Sequence, residues 1–146
     1  RAVSLHLLAK ATQRMRSLGY RASRLALSIR FTEGGGWGDW TPVRPTDDTA
    51  ALHRALLALW ADAPGGRVLQ VGVRLEGLER ADAQLPLFEG ERARGSLMRA
   101  MDRINRRYGA DVVYLGAMHH ARGTAPRRIP FGAPPDLALP DIDGAG

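Results

Sequence analysis

The sequence contains no cysteine, and 20 of its 21 basic residues are arginines, Lys10 being the exception. Without cysteine the protein can form neither disulfides nor thiolate metal sites, which fits a reducing, cytoplasmic setting. No apolar run approaches the ~20 residues of a membrane-spanning helix, and no signal peptide is visible, so we expect no membrane partner. The chain begins without methionine, and its apolar residues repeat with a helical period from the first residues onward. Both features indicate a piece of a longer protein.

Residues suited to catalysis or metal binding are also scarce. The histidines are His6, His53, His119 and His120, and the two that fall in helices have no ligand partner four residues on. Residues 34–36 are glycines but lack the Lys and Ser/Thr that follow in a phosphate-binding loop. We therefore expect no catalytic residue, no metal site and no cofactor in this segment.

The charge is strongly one-sided. The net charge is +6 with a pI near 10.9. Arginine pairs with phosphates through its planar guanidinium, so this balance favours an anionic partner. The high arginine content could also result from a genome rich in G and C, and it would then say nothing about a binding partner.

Hydrophobic periodicity predicts short helices and strands. Ser4 is expected to cap the first helix and Gly19 to end it, and Thr46 or Asp47 to cap the second. Pro42 predicts that its strand lies at a sheet edge. The predicted elements are helix 3–18, strand 21–31, a hairpin loop at 33–36, strand 37–44, helix 48–60, strand 67–75, helix 92–108, strand 111–117 and an irregular tail from 119.

This order predicts an α+β fold, in which two helices pack on one face of a small, mostly antiparallel sheet, followed by a C-terminal helix–strand extension. The third strand has two alternating sets of residues. Leu69, Val71, Val73 and Leu75 are expected to face the core, and the other side carries Val68, Gln70, Gly72 and Arg74. The predicted divisions are a sheet domain over 1–78, a linker over 79–91, the extension over 92–118 and a tail over 119–146.

The other face of the sheet would be open. Side chains on one face of a strand recur every ~6.6 Å, so a row of arginines can follow a phosphate backbone. An ordinary solvated sheet face is the plainer interpretation, but two adjacent strands both present arginine outward. The candidate nucleic-acid contacts are Arg24, Ser28, Arg30, Arg44, Gln70 and Arg74.

A pentapeptide with three large apolar side chains, Gln-Leu-Pro-Leu-Phe at 84–88, follows a polar stretch. It is a candidate for docking on a partner as an extended peptide, with the glutamine fixing its orientation and the apolar side chains filling pockets. Alternatively its leucines fold back into the core.

The segments VLQVGVRLEGL, QLPLF and LMRAMDRINRRYGADVV together resemble the C-terminal little-finger domain of bacterial Y-family translesion DNA polymerases. The resemblance covers about residues 3–117 and is nearer to the polymerase V type than to polymerase IV. It implies a sheet that lies in the major groove of primer–template DNA without sequence preference. It also implies a peptide for the bacterial sliding clamp at Gln84, Leu85, Leu87 and Phe88.

The resemblance places the parent polymerase in translesion synthesis, DNA repair and the SOS response. Its catalytic carboxylates and Mg²⁺ would belong to a palm domain outside these residues. In the family a first strand precedes the first helix, and here that strand would be missing or lie before Arg1. Three strands are therefore expected in the sheet of this chain. The alternative is a free-standing α/β RNA-binding or regulatory module with no polymerase parent.

Overall fold

The computed structural model describes residues 1–81, 89–109 and 112–121. In these ranges no helix is both long and apolar enough to cross a membrane. The elements are α1 (Ala2–Ser17), β1 (Tyr20–Phe31), β2 (Gly36–Thr46), α2 (Thr49–Asp62), β3 (Val68–Arg80), α3 (Glu89–Tyr108) and a 3₁₀ helix (Gly116–Ala121).

The three strands form one antiparallel sheet in the order β2-β1-β3. The hairpin between β1 and β2 turns through Gly34 and Gly35, whose φ angles of +90° and +75° suit glycine. Pro42 lies on an edge strand as predicted, where its missing N–H costs no ladder bond on the outer side. The α+β class is confirmed.

The core lies between one face of the sheet and the two helices α1 and α2. Leu25, Leu27 and Ile29 of the central strand are at most 1% exposed. Burying a side chain of this size stabilises the fold by about 1.5–3 kcal/mol. The helices add these buried side chains to the same cluster: Leu8, Met15, Leu52, Leu56 and Leu59. Because both helices pack on one face of β1, the other face of the sheet stays open.

Ser4 connects the two helices instead of capping α1. The helix begins at Ala2, and its N-cap, Arg1, makes no side-chain cap bond. The Ser4 hydroxyl donates to the Arg1 carbonyl at 2.7 Å and accepts from Trp60 Nε1 at 2.9 Å. This hydroxyl is fully buried, so its two bonds satisfy it and tie α1 to α2.

The end of α1 and the start of α2 follow ordinary capping chemistry. Gly19 ends α1 with a φ of +76°, as predicted. The N-cap of α2 is Asp48, whose carboxylate accepts from the Ala50 N–H at 2.8 Å. The expected caps Thr46 and Asp47 are therefore wrong, and the Thr46 hydroxyl accepts from the Asp48 N–H at 3.1 Å instead.

The third strand departs from the predicted alternation at its start. Val71, Val73 and Leu75 pack against the core, but Leu69 is 64% exposed. The register between β1 and β3 shifts between Arg30 and Phe31, so the alternation breaks before Val71. The predicted inward position of Leu69 is wrong for this reason.

The strand expected at 111–117 does not form in its described residues. Residues 112–115 are irregular, and the 3₁₀ helix begins at Gly116. The amide of Asn105 donates to the Val113 carbonyl at 2.7 Å and accepts from the Val113 N–H at 2.9 Å. Both ladder groups of Val113 are thus occupied, while Tyr114 and Leu115 pack against Leu5 of α1.

Arg16 attaches α3 to the rest of the fold. Its guanidinium donates to both carboxylate oxygens of Asp102 in α3, at 2.7 and 3.0 Å. The remaining nitrogen donates to the Asp47 carbonyl and the Thr49 hydroxyl, each at 2.8 Å. The side chains of Arg16 and Asp102 are 7% and 15% exposed. One arginine therefore joins α1, the start of α2 and α3, an arrangement that we call the Arg16 clasp.

Asp102→Ala tests the clasp. Removing one partner of a buried ion pair costs about 3–5 kcal/mol, so α3 should detach instead of leaving Arg16 unpaired. Hydrogen exchange should show lost amide protection in α3, with the protection of β1 kept. Arg103→Ala, an exposed position on the same helix, is the control. Unchanged protection of α3 in Asp102→Ala would contradict the role of the clasp.

Candidate nucleic-acid interface

The sheet face opposite the helices, here called the open face, carries alternate residues of all three strands. The strand register aligns these residues in four rows that cross the sheet. The rows are Arg30 with Gly36 and Gln70, Ser28 with Gly38 and Gly72, Ala26 with Trp40 and Arg74, and Arg24 with Pro42 and Glu76. The structure thus brings together Arg24, Ser28, Arg30, Gln70 and Arg74.

Arg44, the sixth predicted contact, lies toward the end of β2. It is exposed, two residues beyond Pro42. The register between β1 and β2 shifts between Ala22 and Arg24, so Arg44 has no directly paired residue on β1. It therefore extends the open face at a corner of the sheet.

The second row consists of small residues on all three strands. A Cβ added to Gly72 would lie 2.6 Å from Ser28 Oγ, and one added to Gly38 would lie 3.4 Å from the Leu27 carbonyl oxygen. The Ser28 hydroxyl donates to the Gly72 carbonyl at 3.4 Å. The row therefore carries only small side chains across the sheet, with a hydroxyl at its centre and Arg30 and Arg74 in the neighbouring rows.

Trp40 is a surface residue that the sequence patterns did not single out. It is 51% exposed, and the Arg24 guanidinium lies over its ring, 4.3 Å from the ring centre. This cation–π contact holds the arginine across the face. The two-residue period of β2 could have identified Trp40. It places Trp40 on the same side of the strand as Pro42 and Arg44, whereas Trp37 packs toward the core.

Glu76 is the second residue that was missed. It lies 3.8 Å from Arg24 and 3.6 Å from Arg74, and all three side chains are at least 33% exposed. Exposed ion pairs contribute about 0–1 kcal/mol each, so a phosphate can replace Glu76 as the partner of either arginine. The strand predicted at 67–75 ends just before Glu76, whereas β3 continues to Arg80.

Other titratable groups do not form a site on this face. Burial, and then the charge of Arg54, lower the pKa of His53, which lies on α2 in the helix layer. Within the described ranges no three His, Cys, Asp or Glu residues lie close enough to hold a metal ion. The predicted clamp-binding residues Gln84, Leu85, Leu87 and Phe88 lie outside the described residues.

The fold and the open face define the class: a small α+β domain with an exposed, arginine-bearing sheet. Residues 1–87 match the model of the impB/mucB/samB family C-terminal domain. The chain belongs to this family, and the matched part is the little-finger region of Y-family DNA polymerases, which act in DNA-damage tolerance. Residues 95–129 match a domain of unknown function, DUF4113. A comparison with curated proteins gives no match.

Glu76→Gln tests how weakly the two open-face arginines are held. Because both ion pairs are solvated, we expect the free energy of unfolding to change by less than about 1 kcal/mol. Urea unfolding followed by circular dichroism measures this change. A loss of several kcal/mol would mean that Glu76 holds the arginines in place and that they are not available to a ligand.

Proposed function

We propose that this chain is the DNA-binding and clamp-tethering part of a translesion polymerase, and that the open face binds primer–template DNA. The observation that carries the proposal is the supply of arginine by all three strands to one uncovered face. Arg24 and Arg30 come from β1, Arg44 from β2 and Arg74 from β3. The catalytic carboxylates and Mg²⁺ of the parent enzyme are assigned to a palm domain outside these residues.

The spacing of these arginines suits a phosphate backbone. Neighbouring strands lie about 4.7–4.9 Å apart, and residues on one face of a strand recur about every 6.6 Å. Arg74 and Arg24 lie in neighbouring rows, and Arg30 lies about 20 Å from Arg24 along β1, so the guanidinium groups can contact phosphates at several points along one backbone. The small-residue row of Ser28, Gly38 and Gly72 adds a strip without large side chains, which a sugar–phosphate chain can approach closely. Contacts of this kind position a duplex without reading its sequence.

The first functional test is the salt dependence of DNA binding. Four phosphate contacts from the open face contribute about −3.6 to the slope of log affinity against log salt. Arg24→Ala with Arg74→Ala should flatten the slope by about 1.8 and weaken binding. Glu76→Gln should strengthen binding, because it releases both arginines and removes a charge that repels phosphate. Fluorescence anisotropy with a labelled primer–template measures all of these.

Arg54→Glu is the matched control, because it lowers the net charge by two, as the double alanine variant does, from an exposed position on α2 in the helix layer. It should leave the slope unchanged. The proposal fails if the double alanine variant binds like Arg54→Glu. It also fails if Glu76→Gln weakens binding.

The clamp-binding part of the proposal rests on the sequence and position of residues 84–88. The family match ends at residue 87, and the second match begins at 95, so the pentapeptide lies at the border of two units. Such a position leaves chain on both sides for docking as an extended peptide. We assign Leu87 and Phe88 as the apolar anchors, with Gln84 and Leu85 completing the motif.

Leu87→Ala with Phe88→Ala should abolish binding to the bacterial sliding clamp and leave the melting temperature unchanged. Burying each anchor contributes roughly 1.5–3 kcal/mol, before the cost of ordering the peptide. A wild-type Kd in the micromolar range, about −8 kcal/mol at 1 μM, is expected. Surface plasmon resonance and calorimetry on the same variant measure the two properties.

The control is Leu18→Ala with Leu57→Ala, which removes two exposed apolar side chains, one at the end of α1 and one on α2. It should keep clamp binding. If the pentapeptide is core, the anchor variant will lose stability by ~3–5 kcal/mol for Phe→Ala alone, and the wild type will not bind the clamp. That pair of results would reject clamp tethering without affecting the DNA test.

A further inference from the structure

The outer side of α3 is a second concentration of arginine. With 3.6 residues per turn, the helix gathers five arginines into about 100° of its circumference. All five are exposed. They are Arg92, Arg99, Arg103, Arg106 and Arg107, and together we call them the α3 arginine face.

The orientation of this face follows from packing. Met98 is 4% exposed, and Asp102 is bound in the Arg16 clasp, so this side of α3 faces the domain. The arginines lie on the other side of the helix. Among the α3 side chains that the structure describes, Asp102 is the one carboxylate, and it is already paired with Arg16. For Arg99, Arg103 and Arg106 the helix therefore offers no neutralising acid among its described side chains.

A cleft connects this face to the sheet. It has a volume of about 420 Å³ and lies where β1 begins and β2 and β3 end. Four guanidinium-bearing residues line it against two carboxylates: Arg21, Arg92, Arg94 and Arg99 with Asp47 and Asp48. The Asp48 carboxylate is used to cap α2.

The cleft also lies beside the open face. Thr46 lines the cleft, and Arg44 is two residues before it on β2. Arg21 lines the cleft three residues before Arg24 on β1. Positive charge therefore continues from the open face, through the cleft, to the outer side of α3.

We infer that α3 is a second phosphate-binding element, which engages the backbone of the same duplex that the sheet binds. The inference rests on the proposed function of the open face and assigns a role to the segment that matches a domain of unknown function. From Arg92 to Arg107 the helix rises about 22 Å, at about 1.5 Å per residue. This length equals the rise of about six base pairs, so several phosphates lie within reach.

The charge pattern favours nucleic acid as the occupant. Arg99, Arg103 and Arg106 lie at successive turns of one helix face and match a regular row of phosphates, and guanidinium groups bind phosphate oxygens in bidentate fashion. Arg99 illustrates the available freedom, since its one described bond is a 3.4 Å contact to the Ser96 hydroxyl. This guanidinium is therefore held weakly and can reorient toward a ligand.

Arg99→Gln with Arg103→Gln tests the inference. Glutamine keeps the helix propensity of arginine, so α3 should stay folded. Losing two phosphate contacts should flatten the salt slope for a primer–template duplex by about 1.8 and weaken binding about tenfold or more at 0.1 M salt. Arg54→Glu lowers the net charge by the same two units and should leave the slope unchanged. Circular dichroism and thermal melting confirm that each variant is folded.

Combining this variant with Arg24→Ala and Arg74→Ala separates the two proposals. Losses that add in free energy support one duplex spanning both surfaces. If the α3 variant binds like Arg54→Glu while the sheet variant is impaired, the α3 inference is overturned and the proposed function stands. If the α3 variant is impaired and the sheet variant is not, the open face does not bind DNA and the shared duplex is rejected. If none of the proteins binds the duplex, both proposals fail.

Discussion

The central strand β1 has two faces that require opposite environments, and the rest of the domain is arranged around this constraint. Leu25, Leu27 and Ile29 must leave water, and the helices α1 and α2 cover them. Arg24 and Arg30 alternate with them, and burying their charges without partners would cost far more than the core gains. Both helices therefore pack on one side, and the other side of the sheet stays uncovered along all three strands.

The open face is ready for a ligand because its internal contacts are weak. Glu76 holds Arg24 and Arg74 at 3.6–3.8 Å in solvent, and Trp40 supports Arg24 from the other side. These contacts pre-position the guanidinium groups, but they contribute little stability. The Arg16 clasp shows the opposite case. Its carboxylate lies at 2.7 Å in a nearly dry environment, so it fixes the position of α3 and is unsuited to exchange with a ligand.

The sequence failed in specific places, each with a physical reason. Residues 111–117 have the apolar run of a strand, but the amide of Asn105 takes both ladder groups of Val113. Leu69 fits the alternation of β3, but a register shift opposite it turns it outward. Glu76 was left outside the predicted strand because it is polar, although a solvent-facing strand position accepts polar residues readily.

The sequence alone determined the α+β class, the order of the elements from α1 to α3, the predicted open-face residues on β1 and β3, and the resemblance to the Y-family little finger. These follow from periods of two and 3.6 residues and from local motifs, which depend on near neighbours in the chain. Tertiary structure alone decided the pairing of Arg16 with Asp102, 86 residues apart, and the contacts of Arg24 with Trp40 and Glu76. It also decided which side of α3 faces solvent. Such contacts depend on strand register and helix rotation, which the packing of the whole domain sets.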